Sequence, residues 1–222
     1  MTRGTENRAA LFRLEGVLSP RPTLTAAAWL SLNARRVRAR LLGLTSFALA
    51  GPLSMGGEPG RAARLAWSTL AGMSEDRLIV LGELYAEEHL IPVLSKVGLE
   101  LLEQCKAAGQ PVALLSDNLD VIVGPIARHL GIETFVANAM ELDDQDRATG
   151  ALREPIVGPT PGGRALEDRL SELGIDMRNA CAYGSYAGDS PLLGAVALPC
   201  AVTPDRELRR MARDLDWPVV DA

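Results

Sequence analysis

From residue 97 onward the chain alternates short apolar runs with longer stretches of helical spacing, and few folds tolerate that alternation. "PVALLS" (111–116), "TFVAN" (134–138), "ACAYG" (180–184), "PCAV" (199–202) and "WPVV" (217–220) are short and apolar, as buried strands are. Between or beside them lie "VGLELLEQCKAAG" (97–109), "LDVIVGPIARHLG" (119–131), "GRALEDRLSELG" (163–174), "SPLLGAVA" (190–197) and "DRELRRMARDLD" (205–216). Their apolar residues recur at helical intervals, and Gly109, Gly131 and Gly174 supply stops. "AALF" (9–12) adds a strand at the start, and "AMELDDQDRATGALR" (139–153) reads as a hairpin around a polar turn. Continuously apolar strands joined by helices imply a parallel sheet with helices on both faces, so the fold class is α/β and Rossmann-like.

Residues 20–95 break the pattern. "TAAAWLSLNARRVRARLLGL", "GRAARLAWSTLAGM" and "SEDRLIVLGELYAEEHL" all read as helices. The expected organisation is a core formed by 1–19 and 96–222, with an all-helical cap, 20–95, inserted after the first strand. Its hinges fall near Ser19–Pro22 and Pro92–Lys96, where proline interrupts regular structure.

Bulk properties exclude several function classes. The 222 residues carry a net charge of −5, which argues against nucleic-acid binding. Cys105, Cys181 and Cys200 are widely spaced, and with only His89 and His129 present no zinc pattern forms. Reduced thiols in a cytoplasmic chain are the expectation. The polar "MTRGTENRAALF" lacks the apolar core of a signal peptide. "RRVRAR" (35–40) adjoins an uncharged stretch, 41–57, interrupted by Gly43, Gly51 and Pro52 and shorter than a span of about 20 residues. A solvated helix face is favoured there over membrane contact, and a protein partner docking on the cap is the other use of such a patch.

In parallel α/β sheets, ligands bind beyond the carboxyl ends of the strands. The residues that follow the strands are Arg13 and Glu15, then Ser116, Asp117 and Asn118, then the loop "GSYAGD" from Gly184 to Asp189. With the stretches "VALLSDNLDVIVGPIARHLGI" and "GIDMRNACAYGSYAGDSPLLGAVALPCAVTPDRELRRMARDLDWPVVDA", this layout resembles the haloacid dehalogenase-like superfamily, in its phosphoserine-phosphatase-like branch. The resemblance implies an Mg²⁺-dependent phosphotransferase fold. Its first motif, Asp-x-Asp-Gly-Thr, supplies a nucleophile and then an acid/base. A Ser or Thr after the second strand and a Lys hold the phosphoryl group, and an acidic loop helps to hold the metal.

Carried over by position, the motif here is "RLEGV": Arg13 stands at the nucleophile position, Glu15 at the acid/base position, Gly16 is kept and Val17 replaces Thr. Ser116 matches the phosphate-binding Ser, and Arg164 falls at the Lys position. In the acidic loop after Gly184, Ser185 takes the first acidic position and Asp189 the second. A guanidinium has no lone pair for attack on phosphorus, so Arg13 cannot form a phosphoenzyme. Losing carboxylates at 13 and 185 also removes metal ligands. An Arg about 4 Å from Mg²⁺ costs roughly 8 kcal/mol at an effective dielectric near 20.

Arg13 and Arg164 against Glu15 and Asp189 would nearly balance without a metal. Arg13 is therefore expected to fill the metal region and pair with Asp189, Glu15 or both. Asp117 and Asn118 each fit a helix cap, and Asp117 is otherwise a candidate base. Asn118 joins Ser116 and Arg164 as a candidate anion-binding group, while Tyr186 fills space. The leading expectation is a phosphatase-like protein without catalysis, with no cofactor, retained to bind a phosphorylated or anionic small molecule or a protein partner. The alternative is an active phosphomonoesterase with Mg²⁺ on Asp189 and Glu15. A third reading is a scaffold that docks through its cap on a protein or a membrane surface.

Overall fold

Every strand of the main sheet runs parallel. The computed structural model describes residues 8–34, 59–156 and 163–221. The sheet holds six strands in the order β3-β2-β1-β6-β7-β8. They are β1 (Ala10–Arg13), β2 (Val112–Leu119), β3 (Thr134–Asn138), β6 (Cys181–Gly184), β7 (Leu198–Val202) and β8 (Val219–Val220). Between β3 and β6 in sequence, β4 (Met140–Leu142) and β5 (Ala148–Leu152) form the expected antiparallel hairpin. The chain builds outward from β1 in both directions, through β2 to β3 and later through β6 to β8. The strand order therefore reverses beside β1, where open α/β sheets form their ligand crevice.

Side chains alternate across the strands, as a period of two requires. Ala10, Phe12, Leu114 and Cys181 enter one apolar cluster, and Leu11, Ala113, Leu115 and Ala182 enter the other. The first face packs α4 (Lys96–Ala107) through Leu102, and α5 (Asp120–His129) through Ile122 and Ile126. The second packs α6 (Arg164–Glu172) through Leu166 and Leu170, α7 (Ser190–Ala195) through Leu192 and Leu193, and α8 (Arg206–Asp214) through Leu208. With aromatics at 4% of the chain, Leu, Ala and Val carry most of this burial. Each fully buried Leu contributes roughly 2 kcal/mol of transfer free energy.

Between β1 and β2 lie α1 (Thr23–Leu32), α2 (Pro59–Ser68) and α3 (Glu75–Tyr85). The last continues through a π-helical turn (Ala86–Leu90) and a 3₁₀ turn (Ile91–Val93). Leu30, Trp67, Leu78 and Leu81 from these helices belong to the same apolar cluster as Phe12 and Ile122. The arginine run 35–40 and the apolar stretch 41–57 lie outside the described residues. Among the described residues no helix is long and apolar enough to cross a membrane.

Candidate functional site

β1 sits between β2 and β6, so the ends of three neighbouring strands open onto one crevice. Arg13 is the last residue of β1, level with Leu115 of β2. The chain then turns tightly: the Gly16 amide donates to the Ser19 carbonyl at 2.7 Å and Ser19 N–H to the Leu14 carbonyl at 2.7 Å. Gly16 has φ +83°, and a Cβ there would lie 2.5 Å from Ser185 Cβ. This close approach of the two loops puts Glu15 beside the ends of both β2 and β6.

The Arg13 side chain is buried and engages three carboxylates. Its Nε donates to Asp189 Oδ1 at 3.0 Å and its Nη2 to Asp117 Oδ2 at 2.9 Å, with Glu15 Oε2 at 3.2 Å from the same Nη2. Burial works to lower the pKa of Arg13, but the charges of Asp117, Glu15 and Asp189 outweigh it and the pKa rises. Asp117 is pushed up to about 7, chiefly by burial and further by Glu15, against the opposing pull of Arg13.

Glu15 Oε1 gathers four donors: Ser116 Oγ at 2.6 Å, Asn118 Nδ2 at 2.8 Å, the Asp117 amide at 3.2 Å and Thr23 Oγ1 at 3.3 Å. Asp189 Oδ2 in turn accepts the amides of Ser185 at 2.8 Å and Tyr186 at 3.0 Å. A side chain on Gly184 would strike Asp189, since its Cβ would stand 2.8 Å from that of Asp189.

The expected pairs of Arg13 with Asp189 and Glu15 both form, and Asp117 is a third partner. Asp117 and Asn118 do not cap α5. β2 runs on to Leu119, which occupies the N-cap position, and both side chains turn into the cluster instead. Arg164 opens α6 on the exposed surface, and no hydrogen bond or ion pair joins it to Arg13, Glu15 or Ser116. The family resemblance put it at the site, but α6, which it opens, begins at the exposed surface.

The expected charge balance therefore changes, because one guanidinium meets three carboxylates. Ser185 is buried and donates its hydroxyl to the Thr203 carbonyl at 3.3 Å, while the Tyr186 ring lies over Gly16. Sequence reasoning missed Thr23, which no motif marks. It also missed Asp205, whose Oδ2 accepts the Ala187 amide at 3.1 Å and steadies the acidic loop.

The Mg²⁺ that the resemblance implies does not fit this donor set. Glu15, Asp117 and Asp189 all face the fixed guanidinium of Arg13 at 2.9–3.2 Å. A divalent ion sharing their oxygens would stand against that positive charge in a buried site. Among the described residues no group of three acidic, His or Cys side chains is arranged to hold a metal.

The comparisons with known proteins agree with this architecture. A haloacid dehalogenase-like hydrolase model matches residues 21–194. The "Inhibition of morphological differentiation protein" of Streptomyces azureus is 34% identical over 130 residues, 59% of this chain and 47% of that protein. A phosphoserine phosphatase of Mycobacterium tuberculosis is 29% identical over 71% of this chain and 51% of its own length. The chain thus spans about half the length of these two curated relatives. A solved protein of unknown function from Bordetella pertussis Tohama I superposes with a TM-score of 0.78 at 26% identity, covering 97% of this chain and 99% of that one. A phosphoserine phosphatase solved as a phospho-aspartyl intermediate analogue shares the fold, with a TM-score of 0.66 at 18% identity over 97% of this chain and 93% of that one. With a parallel sheet of this order and a family model matched across most of its length, the chain belongs to the haloacid dehalogenase-like hydrolases.

Proposed function

We propose that this chain is a phosphatase-fold protein that binds rather than hydrolyses, with residues 20–95 as its cap and the remainder as its core. The observation that carries the reading is the occupation of the crevice by the protein's own side chains. Arg13 fills the nucleophile position of the family motif. Glu15, one methylene longer than the aspartate expected there, lays its carboxylate on Ser116 Oγ, Asn118 Nδ2 and the Asp117 amide. Those are the donors a phosphoryl oxygen would use, and a carboxylate oxygen satisfies them equally. A phosphorylated small molecule would enter only by displacing Glu15, and it would still meet no nucleophile at position 13.

The test is hydrolysis of p-nitrophenyl phosphate in Mg²⁺ by the wild-type chain and by Glu15→Gln. The expected result is no wild-type turnover above the variant. Wild-type turnover well above it would overturn the reading.

A second reading, active phosphomonoester hydrolysis, is favoured by the names of the relatives, a phosphoserine phosphatase and a histidinol-phosphatase of Neisseria meningitidis among them. In that case Asp117, with its carboxyl pushed up to about 7, is the group available to carry a proton, and Asp117→Asn would abolish the turnover.

A further inference from the structure

The helices between β1 and β2 carry a second cavity, remote from Arg13. It encloses about 380 Å³, at the small end of ligand pockets. Ala34, just past the end of α1, borders it. Thr23, at the start of that helix, touches Glu15. The ten residues of α1 thus separate the two sites by about 15 Å of helix.

Two arginines line this cavity: Arg77 of α3, and Arg147, which precedes β5. Each is anchored through one nitrogen to a main-chain carbonyl. Arg77 Nη2 donates to Asn33 O at 3.1 Å and Arg147 Nη1 to Gly72 O at 3.2 Å. Each bond anchors its guanidinium at one nitrogen, and Arg77 Nε is buried with no hydrogen-bond partner. Among the described residues no ion pair joins either arginine to an acid.

The rest of the wall is largely apolar, with Leu70, Met73 and Val80 contributing. Among the described residues Asp76 is the one carboxylate on the lining. Two guanidiniums on the lining of one cavity favour an oxyanion, and the apolar wall favours a hydrocarbon body. The Asp76 charge weighs against a dianion.

We infer that this cavity binds a small monocarboxylate with a short apolar body. The carboxylate rests on Arg77 and Arg147, and the hydrocarbon lies against Leu70, Met73 and Val80. The site is independent of the fate of Arg13.

The test is an NMR titration of the full chain with hexanoate, with hexanamide and inorganic phosphate as parallel probes. Expected are saturable hexanoate shifts in residues 69–74 and α3, with affinity for hexanamide at least tenfold weaker. Arg77→Gln and Arg147→Gln should each weaken hexanoate at least tenfold. Because both arginines also brace the backbone, Val80→Glu serves as a second variant. Val80 is 53% exposed on α3, so the change adds a repelling carboxylate to the wall without breaking a hydrogen bond, and an equal loss is expected. Absent saturation, equal binding of hexanamide, tighter binding of phosphate than of hexanoate, or unchanged affinity in all three variants would overturn the inference.

Discussion

At the scale of single residues, Arg13 and its carboxylates form one electrostatic unit. Removing one member of a buried ion cluster leaves the others unpaired, which costs more than the cluster contributes when intact. Arg13→Met should therefore destabilise the chain by about 3–5 kcal/mol in urea unfolding, because three carboxylates lose their shared counter-charge. Asp117 gives a pH signature. Its ordinary value is 3.8 and the folded chain raises it to about 7, so between those values the folded state holds a proton that the unfolded state releases. Stability should fall as pH rises from about 4 to about 7. Asp117→Asn mimics the protonated form and should flatten that slope, as unfolding midpoints measured across the range would show.

The pairing of Arg13 with Asp189 and Glu15 was legible in the sequence: the apolar strands put all three after strand ends, and the family resemblance with the balance of charges joined them. Asp117 was not legible as a partner. A carboxylate after a strand fits a cap equally well, and only the extension of β2 to Leu119 turns it inward. Arg164 was assigned by the resemblance, and a match of motif position carries no distance to Arg13.

At the scale of elements, the site depends on the loops that approach β1. Gly16 brings the turn after β1 against the acidic loop, so Gly16→Ala must push Ser185 away and hold alanine at φ +83°. A loss of about 2 kcal/mol by thermal or denaturant unfolding is expected. Asp205 ties that loop to α8, accepting Leu208 N–H at 2.7 Å as helix cap and Ala187 N–H with its other oxygen. Asp205→Ala should cost about 1–2 kcal/mol, with hydrogen exchange accelerated in residues 185–189 as well as in the first turn of α8.

After residue 95 most strands and helices were readable to within two or three residues because their apolar periods are strong, but the helix read from residue 25 to 44 stops at Leu32 and the one read from 60 to 73 stops at Ser68. β3 falls on Thr134–Asn138, the stretch its composition marks. The long pattern at 74–90 conceals a change of helix type at Ala86, since one π turn is too short to break the apolar pattern visibly.

At the scale of the whole molecule, a haloacid dehalogenase-like hydrolase fold carries a buried cation at its crevice. The sheet is parallel with helices on both faces, and Arg13 stands paired to carboxylates at the end of β1, inside the sheet. The fold places the crevice, and the residues at strand ends decide what it does there. The central claim is that the Arg13 guanidinium excludes a divalent ion from Glu15, Asp117 and Asp189. Calorimetric titration with Mn²⁺, a surrogate for Mg²⁺, tests it on the wild-type chain and on the Arg13→Asp, Ser185→Asp double variant. The account predicts no saturable binding to the wild type and one ion per chain in the double variant. One ion bound by the wild type, and lost in Asp189→Asn, would contradict it.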